Sequence, residues 1–158
     1  MVGPRIVFVR FQSRESPKVT PWLDHVSRVV GHREPDDASD LGHGCFVWQL
    51  VSANNRELAR SVGVYSSFES ASANAQSVVD AHQRAEFAQV SEAGRGAYGW
   101  FASVDNTPVM TCSRWYVTDR DRRYSIDTAV KAVSTATLHA GARLSYPALR
   151  GGDFGRFR

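Results

Sequence analysis

The sequence predicts an α+β fold, a tandem repeat of an antiparallel hairpin followed by a helix, with the helices packed on one face of the sheet. Three observations carry it. Phe46, Trp48 and Leu50 fall on alternate positions and so share one face of a strand. An offset of 52 residues turns Phe46, Trp48 and Asn54 into Tyr98, Trp100 and Asn106, and Leu58 and Ser61 into Met110 and Ser113; an even offset preserves strand parity. Each hairpin then runs into a segment with helical spacing. The domain organisation that follows is an extension over residues 1–44, a repeat domain over 45–140 with copies at about 45–92 and 98–140, and a tail over 141–158.

Element by element, Ile6–Phe11 is rich in β-branched and aromatic residues and predicts a strand. Trp22, Leu23, Val26, Val29 and Val30 recur at helical spacing, with Thr20 as expected N-cap, Pro21 in the first turn and Gly31 as stop. The span from His32 to Gly44 is polar and predicts a loop, after which Cys45 opens the first copy. Asn54 and Asn55 suit a tight turn because asparagine tolerates positive φ. The chain returns through Leu58 and Ser61 to Val64 and Tyr65, with Gly63 allowing a bend. Ser66-x-x-Glu69 has the spacing of a capping box, and the helix beyond it is expected to bury Ala71, Ala75, Val78, Val79 and His82 while exposing Asn74, Gln76, Asp80 and Gln83. In the second copy Asp105–Pro108 supplies the turn and Val109–Val117 the return strand. Residues 119–123, Asp-Arg-Asp-Arg-Arg, read as a charged insertion, followed by a helix from Ser125 as N-cap to near Gly141.

Composition bounds the function. With 42% hydrophobic and 22% charged residues, the 158-residue chain lies far from the low-hydrophobicity regime of disorder and is long enough to bury a core. No apolar run approaches the roughly 18 residues of a membrane span, so a cytoplasmic protein without membrane contact is expected. Cys45 and Cys112 have no ligand spacing and read as small buried hydrophobes, with a disulfide left open. From Gly141 onward four arginines against Asp153 account for the whole net charge of +3.

The pattern Phe46-x-Trp48-x-Leu50, Asn54, Ser61, Tyr65 and the alanine-rich helix after it resembles the YegP-like family of small tandem-repeat proteins, over roughly residues 45–82 and, more weakly, 98–138. The resemblance implies units of a short antiparallel sheet element plus a helix. It implies no activity, because the family has none assigned.

Candidate chemistry is sparse. His25, His32, His43, His82 and His139 show no paired ligand spacing. The serines from Ser66 to Ser77 lack a nucleophile elbow, and Gly94, Gly96 and Gly99 precede a strand, the reverse of a dinucleotide loop. Trp48 and Trp100 read as core. Trp115 and Tyr116 point to opposite strand faces, which leaves one of them for a partner surface. Arg120, Arg122 and Arg123, with Arg150, Phe154, Arg156, Phe157 and Arg158 of the tail, complete the binding candidates, since arginine binds phosphate and stacks on rings. The expected function is therefore a non-catalytic interaction module with a protein partner and no cofactor or metal. The alternative is an RNA- or DNA-associated protein using the tail and residues 119–123. Third is an enzyme whose pocket gathers histidines such as His25 and His43.

Overall fold

The computed structural model describes residues 3–12, 16–31, 44–92 and 94–145. Residues 32–43, most of the span expected as a loop, and the tail from Tyr146 lie outside the described residues, His32 and His43 with them. The strands are β1 (Arg5–Phe11), β2 (Cys45–Val51), β3 (Glu57–Ser61), β4 (Glu86–Glu92), β5 (Ala97–Val104), β6 (Thr107–Cys112) and β7 (Thr137–Ser145); the helices are α1 (Val19–Val30), α2 (Phe68–Asp80) and α3 (Asp119–Thr135). The strands form one sheet in the order β4-β5-β6-β3-β2-β1-β7. Neighbours are antiparallel except for β1 and β7, which run parallel.

Strand alternation divides the sheet into two faces. Ile6, Phe8, Trp48, Leu50, Ala59, Trp100, Ala102 and Met110 form one, covered by Ala71, Ala75 and Val78 of α2 and Ala129, Ala132 and Val133 of α3. The two repeat helices thus share a face, as the periodicity predicts. Their contact residues are mostly alanines, which let the helix backbones come close to the large indoles beneath. Trp48 and Trp100 are fully buried, and removing an indole of this size from water contributes at most about 5 kcal/mol each. The N-terminal helix does something else. Val19, Trp22 and Val26 of α1 pack with Phe11, Cys45 and Val47 on the opposite face. The extension is therefore built into the fold: β1 lies between β2 and β7, and α1 covers the face that the repeat helices leave open.

The two hairpin–helix units match bond for bond. Phe46 bridges Tyr65 as Tyr98 bridges Tyr116. The Trp48 amide donates to Ser61 Oγ at 3.2 Å, and the Trp100 amide to Cys112 Sγ at 3.4 Å. Each indole Nε1–H reaches up to a helix, Trp48 to Asn74 Oδ1 at 2.8 Å and Trp100 to Ser125 Oγ at 2.9 Å. These pairs correct the offset: 52 holds along the leading strand, and one residue less holds after the turn. Ser61 therefore matches Cys112, not Ser113, and Ala59, not Leu58, matches Met110. The missing residue is in the turn. The first hairpin uses Asn55 at φ 65°, whereas the second places both Asp105 and Asn106 at positive φ, the tight two-residue form. A slip of one residue in a strand reverses its faces, so the shorter turn keeps Met110 and Cys112 inward.

The helix starts also move. Thr118, not Ser125, caps α3, its Oγ1 accepting from the Asp121 amide at 3.0 Å, so residues 119–123 are the first helical turns and not an insertion. Asp119 and Asp121 suit that place because the helix N-terminus favours negative charge. Ser125 instead serves the Trp100 indole and the Tyr116 hydroxyl. Ser67, one residue beyond the expected Ser66, caps α2, and α1 begins at Val19, ahead of Thr20, without a side-chain cap. Gly31 ends α1 at φ 92°, as expected. Asn74 is half-buried, because it accepts from Trp48. Beyond α3, Thr137–Ser145 is strand, so Gly141–Ser145, read as the start of the tail, completes β7, and His139 lies on a strand. Replacing Thr118 by alanine is expected to lower stability by about 1 kcal/mol in thermal unfolding, as does losing a typical cap. If residues 119–123 were a loop and Ser125 the cap, the change would be neutral.

Candidate interaction groove

An open groove of about 520 Å³ runs along one side of α3, lined by Pro4, Ser52, Leu58, Tyr124, Asp127, Thr128, Lys131, Ala132 and Thr135. Three local features build it. Tyr124, Thr128, Lys131 and Thr135 recur at three- and four-residue spacing, so they form one stripe of the helix. Leu58 occupies a register shift between β2 and β3: Leu50 pairs with Ala59 and Val51 with Glu57, leaving Leu58 without a cross-strand partner. Ser52 anchors the hairpin turn, its Oγ accepting from the amides of Asn54 at 3.3 Å and Arg56 at 3.1 Å. Pro4 joins them because β1 pairs with β2 from Arg5 onward, and Arg5 donates to the Asn55 side chain of the same turn. Tyr124 is 69% exposed, and with Val117 and Val130 it forms the set of large apolar side chains left in solvent among the described residues.

The residues singled out from the sequence are scattered by the fold. Arg122 is buried and internally engaged: it pairs with Asp119, donates to the Val90 carbonyl at 2.9 Å and Ser91 Oγ at 3.1 Å, and stacks 5.1 Å from the Tyr98 ring. Its place in the first turn of α3 points it at the sheet edge, which removes it from the surface set. Arg123 pairs with Asp119 at 3.1 Å, and Arg120 is exposed. Tyr116 is half-buried against α3, its hydroxyl 2.8 Å from Ser125 Oγ. Trp115 is half-buried on the opposite face, under α1. Neither is left exposed, because both faces carry a helix. Arg150, Phe154, Arg156, Phe157 and Arg158 lie outside the described residues.

A second polar cluster lies between α1 and the sheet. His25 Nε2 is 2.8 Å from the Cys112 carbonyl, and its ring stands edge-on to Trp115 at 6.4 Å. Arg28 lies over Trp115 at 5.2 Å and pairs with Glu92; Arg60 lies over Trp22 at 4.5 Å and pairs with Glu57 at 2.9 Å. Gly99 makes the Trp115 position available, since a Cβ there would stand 3.0 Å from the indole. Burial, assisted by Arg60 and Arg28, pushes His25 down to about 4 against the bond to Cys112, so at neutral pH the ring is neutral and its Nε2–H donates to the carbonyl. These groups are spent on holding α1. The thiol of Cys112 is likewise pushed up to about 11 by burial, which keeps it protonated and unreactive. Both cysteines are buried, and neither is in a disulfide.

The His25 shift sets a pH dependence. The unfolded chain binds a proton at the ordinary histidine value of 6.5 and the folded one only near 4, so stability is full above 6.5 and falls as the pH drops towards 4. Allowing for partial exposure, the loss is about 2 kcal/mol. His25→Gln should remove this part of the slope between pH 6.5 and 4 in denaturant titrations; an unchanged slope would show that His25 is protonated in the folded chain.

Neither a protein-family model nor a curated protein matches the chain. Among solved structures, the solution NMR structure of yegP from E. coli, a protein of unknown function, is similar with a TM-score of 0.51 and 17% identity, over 92% of this chain and 97% of that one. The chain has a YegP-like fold. No helix among the described residues is long and apolar enough to cross a membrane.

Proposed function

We propose that the protein is a non-catalytic interaction module, a tandem-repeat member of the YegP-like group, that holds a segment of a partner protein in the groove beside α3. One observation carries the reading. Tyr124, a large amphipathic side chain of the type that anchors interfaces, is 69% exposed and lines an open groove whose apolar members are Pro4, Leu58 and Ala132. The histidine and the thiol with displaced titration serve packing instead, because His25 is turned into a backbone carbonyl under α1 and Cys112 supports the Trp100 amide. The nucleic-acid reading draws support from Arg120, exposed on the same helix, and from the arginines of the tail.

Both readings meet one experiment. Affinity capture from native cells, with and without nuclease, is expected to retain the same protein with the wild-type chain in either condition and to lose at least about tenfold of it with Tyr124→Ala, as loss of an aromatic anchor does. Capture that disappears on nuclease treatment, or that ignores Tyr124 and depends on residues 146–158, would replace the groove with the nucleic-acid reading.

A further inference from the structure

The polar contacts that hold α1 to the sheet are centred on a group that a proton can change. The Trp22 indole donates to the Ser61 carbonyl at 3.1 Å, His25 stands 2.8 Å from the Cys112 carbonyl, and Arg28 pairs with Glu92. These acceptors are the last residues of β3, β6 and β4, so α1 crosses the strand ends with His25 in the middle of its span. The charges that act on the ring are cationic, Arg28 from α1 itself and Arg60 from β3. The carboxylates on the same elements, Glu92 and Glu57, are taken up by those two arginines. From β6 and the residues after it come the Cys112 thiol, which stays protonated, and the Trp115 indole, edge-on to the imidazole, while Arg114 lies over the Tyr116 ring. Asp24, the neighbour in sequence, is exposed. An imidazolium here would be desolvated between two guanidiniums, and no carboxylate among the described residues is placed to offset it.

Packing makes α1 separable from the rest. Its Val19, Trp22 and Val26 form a core cluster with Phe11, Cys45 and Val47, whereas Trp48, Trp100 and the alanines of α2 and α3 form another on the opposite face; of the α1 side chains, Val29 joins that larger cluster. No strand pairing runs through α1, so its departure leaves the sheet and the larger core standing. We propose that α1 is an acid-released cover: when His25 takes up a proton, α1 lifts from the sheet as a unit and bares the apolar face of Phe11, Cys45 and Val47, while α2 and α3 keep the other face folded. The inference goes beyond the groove reading and does not depend on it. Its sign follows from where the proton is welcome. In the lifted helix the ring meets water and titrates at the ordinary 6.5, whereas in the docked helix it holds out to about 4, so acid favours the lifted form between those values. Between about pH 7.5 and about pH 5 the lifted fraction rises roughly tenfold, with allowance for the part of the ring that water reaches.

The test is native-state hydrogen exchange on the full chain at about pH 7.5 and about pH 5, corrected for intrinsic exchange rates. Protection of the most slowly exchanging amides of α1 is expected to fall roughly tenfold on acidification, and at the lower pH to lie at least about tenfold below that of the central strands β3 and β6, which open only with the whole fold. In His25→Gln, which keeps every other titrating group, the acid-induced fall in α1 should shrink to less than about twofold. Should that variant fail to fold, an NMR titration of the His25 ring in the wild-type chain takes its place, with a midpoint well below 6.5 expected. Equal protection of α1 and the central strands at the lower pH overturns the inference, because α1 then leaves only when everything unfolds. So does an α1 as protected in acid as at neutral pH, a fall of undiminished size in His25→Gln, or a His25 ring that titrates at 6.5 with α1 in place.

Discussion

Trp100→Ala is expected to lower the unfolding free energy by about 3–5 kcal/mol, shifting the urea midpoint without changing the slope. Three losses coincide there. The indole is fully buried among Phe87, Ala102, Met110 and the alanines of α3, so its removal leaves a large void that rigid helices cannot fill. Its Nε1–H bond to Ser125 disappears, and Ser125 Oγ keeps only Tyr116. It also anchors α3 over β5, so the damage spreads to the groove that α3 lines. Domains of this size are stable by about 5–15 kcal/mol, and the loss is therefore a fifth or more of the total. Because Trp48 occupies the matching place in the other unit, with Asn74 in the role of Ser125, Trp48→Ala should cost a similar amount. A Trp100 variant losing less than about 1 kcal/mol would show that the two units do not share one core.

The second large effect is at Arg122. Arg122→Ala is expected to cost about 3 kcal/mol, because a buried cation bonded to Asp119, the Val90 carbonyl and Ser91 is removed and its acceptors lose their donor. The consequence is local. Hydrogen exchange should accelerate in Glu86–Glu92, the edge strand that Arg122 fastens to α3, more than in the central β1. Arg120→Ala, two residues away and exposed, should stay within about 0.5 kcal/mol. Equal effects at the two arginines would mean that the first turn of α3 is solvated and holds no edge.

These two residues illustrate what was legible before the fold was known. Trp100 announced itself: an aromatic on the alternating face of a strand, repeated by Trp48 at a fixed distance, reads as core from the pattern alone. Arg122 gave no such signal. Within Asp-Arg-Asp-Arg-Arg all three arginines look equivalent, and only the angle at which α3 leaves Thr118 turns one of them inward and its neighbours outward. Tyr124 was missed for the same reason. Its neighbours in sequence are charged, and its significance arises from Pro4 just before β1, Ser52 just after β2 and Leu58 of β3, all brought to α3 from distant parts of the chain. A helix starting at Thr118 puts Tyr124 on the same stripe as Thr128 and Lys131 and exposes an aromatic, whereas a cap at Ser125 places Tyr124 in the loop before the helix.

The edge strands β4 and β7 were also unread. Each is half polar because one side of an edge strand meets solvent, which dilutes the alternation that marks a central strand. The hairpins and the helices after them are specified locally, by period-two and period-3.6 apolar spacing and by turn asparagines, so the sequence by itself determined them and the face they share. The rest depends on long-range pairing. That β1 is inserted between β2 and β7, that α1 crosses to cover the second face with His25 bound to a distant carbonyl, and that a strand bulge and a helix stripe enclose a groove were decided by the tertiary structure, because each is a contact between segments whose own residues carry no preference for it.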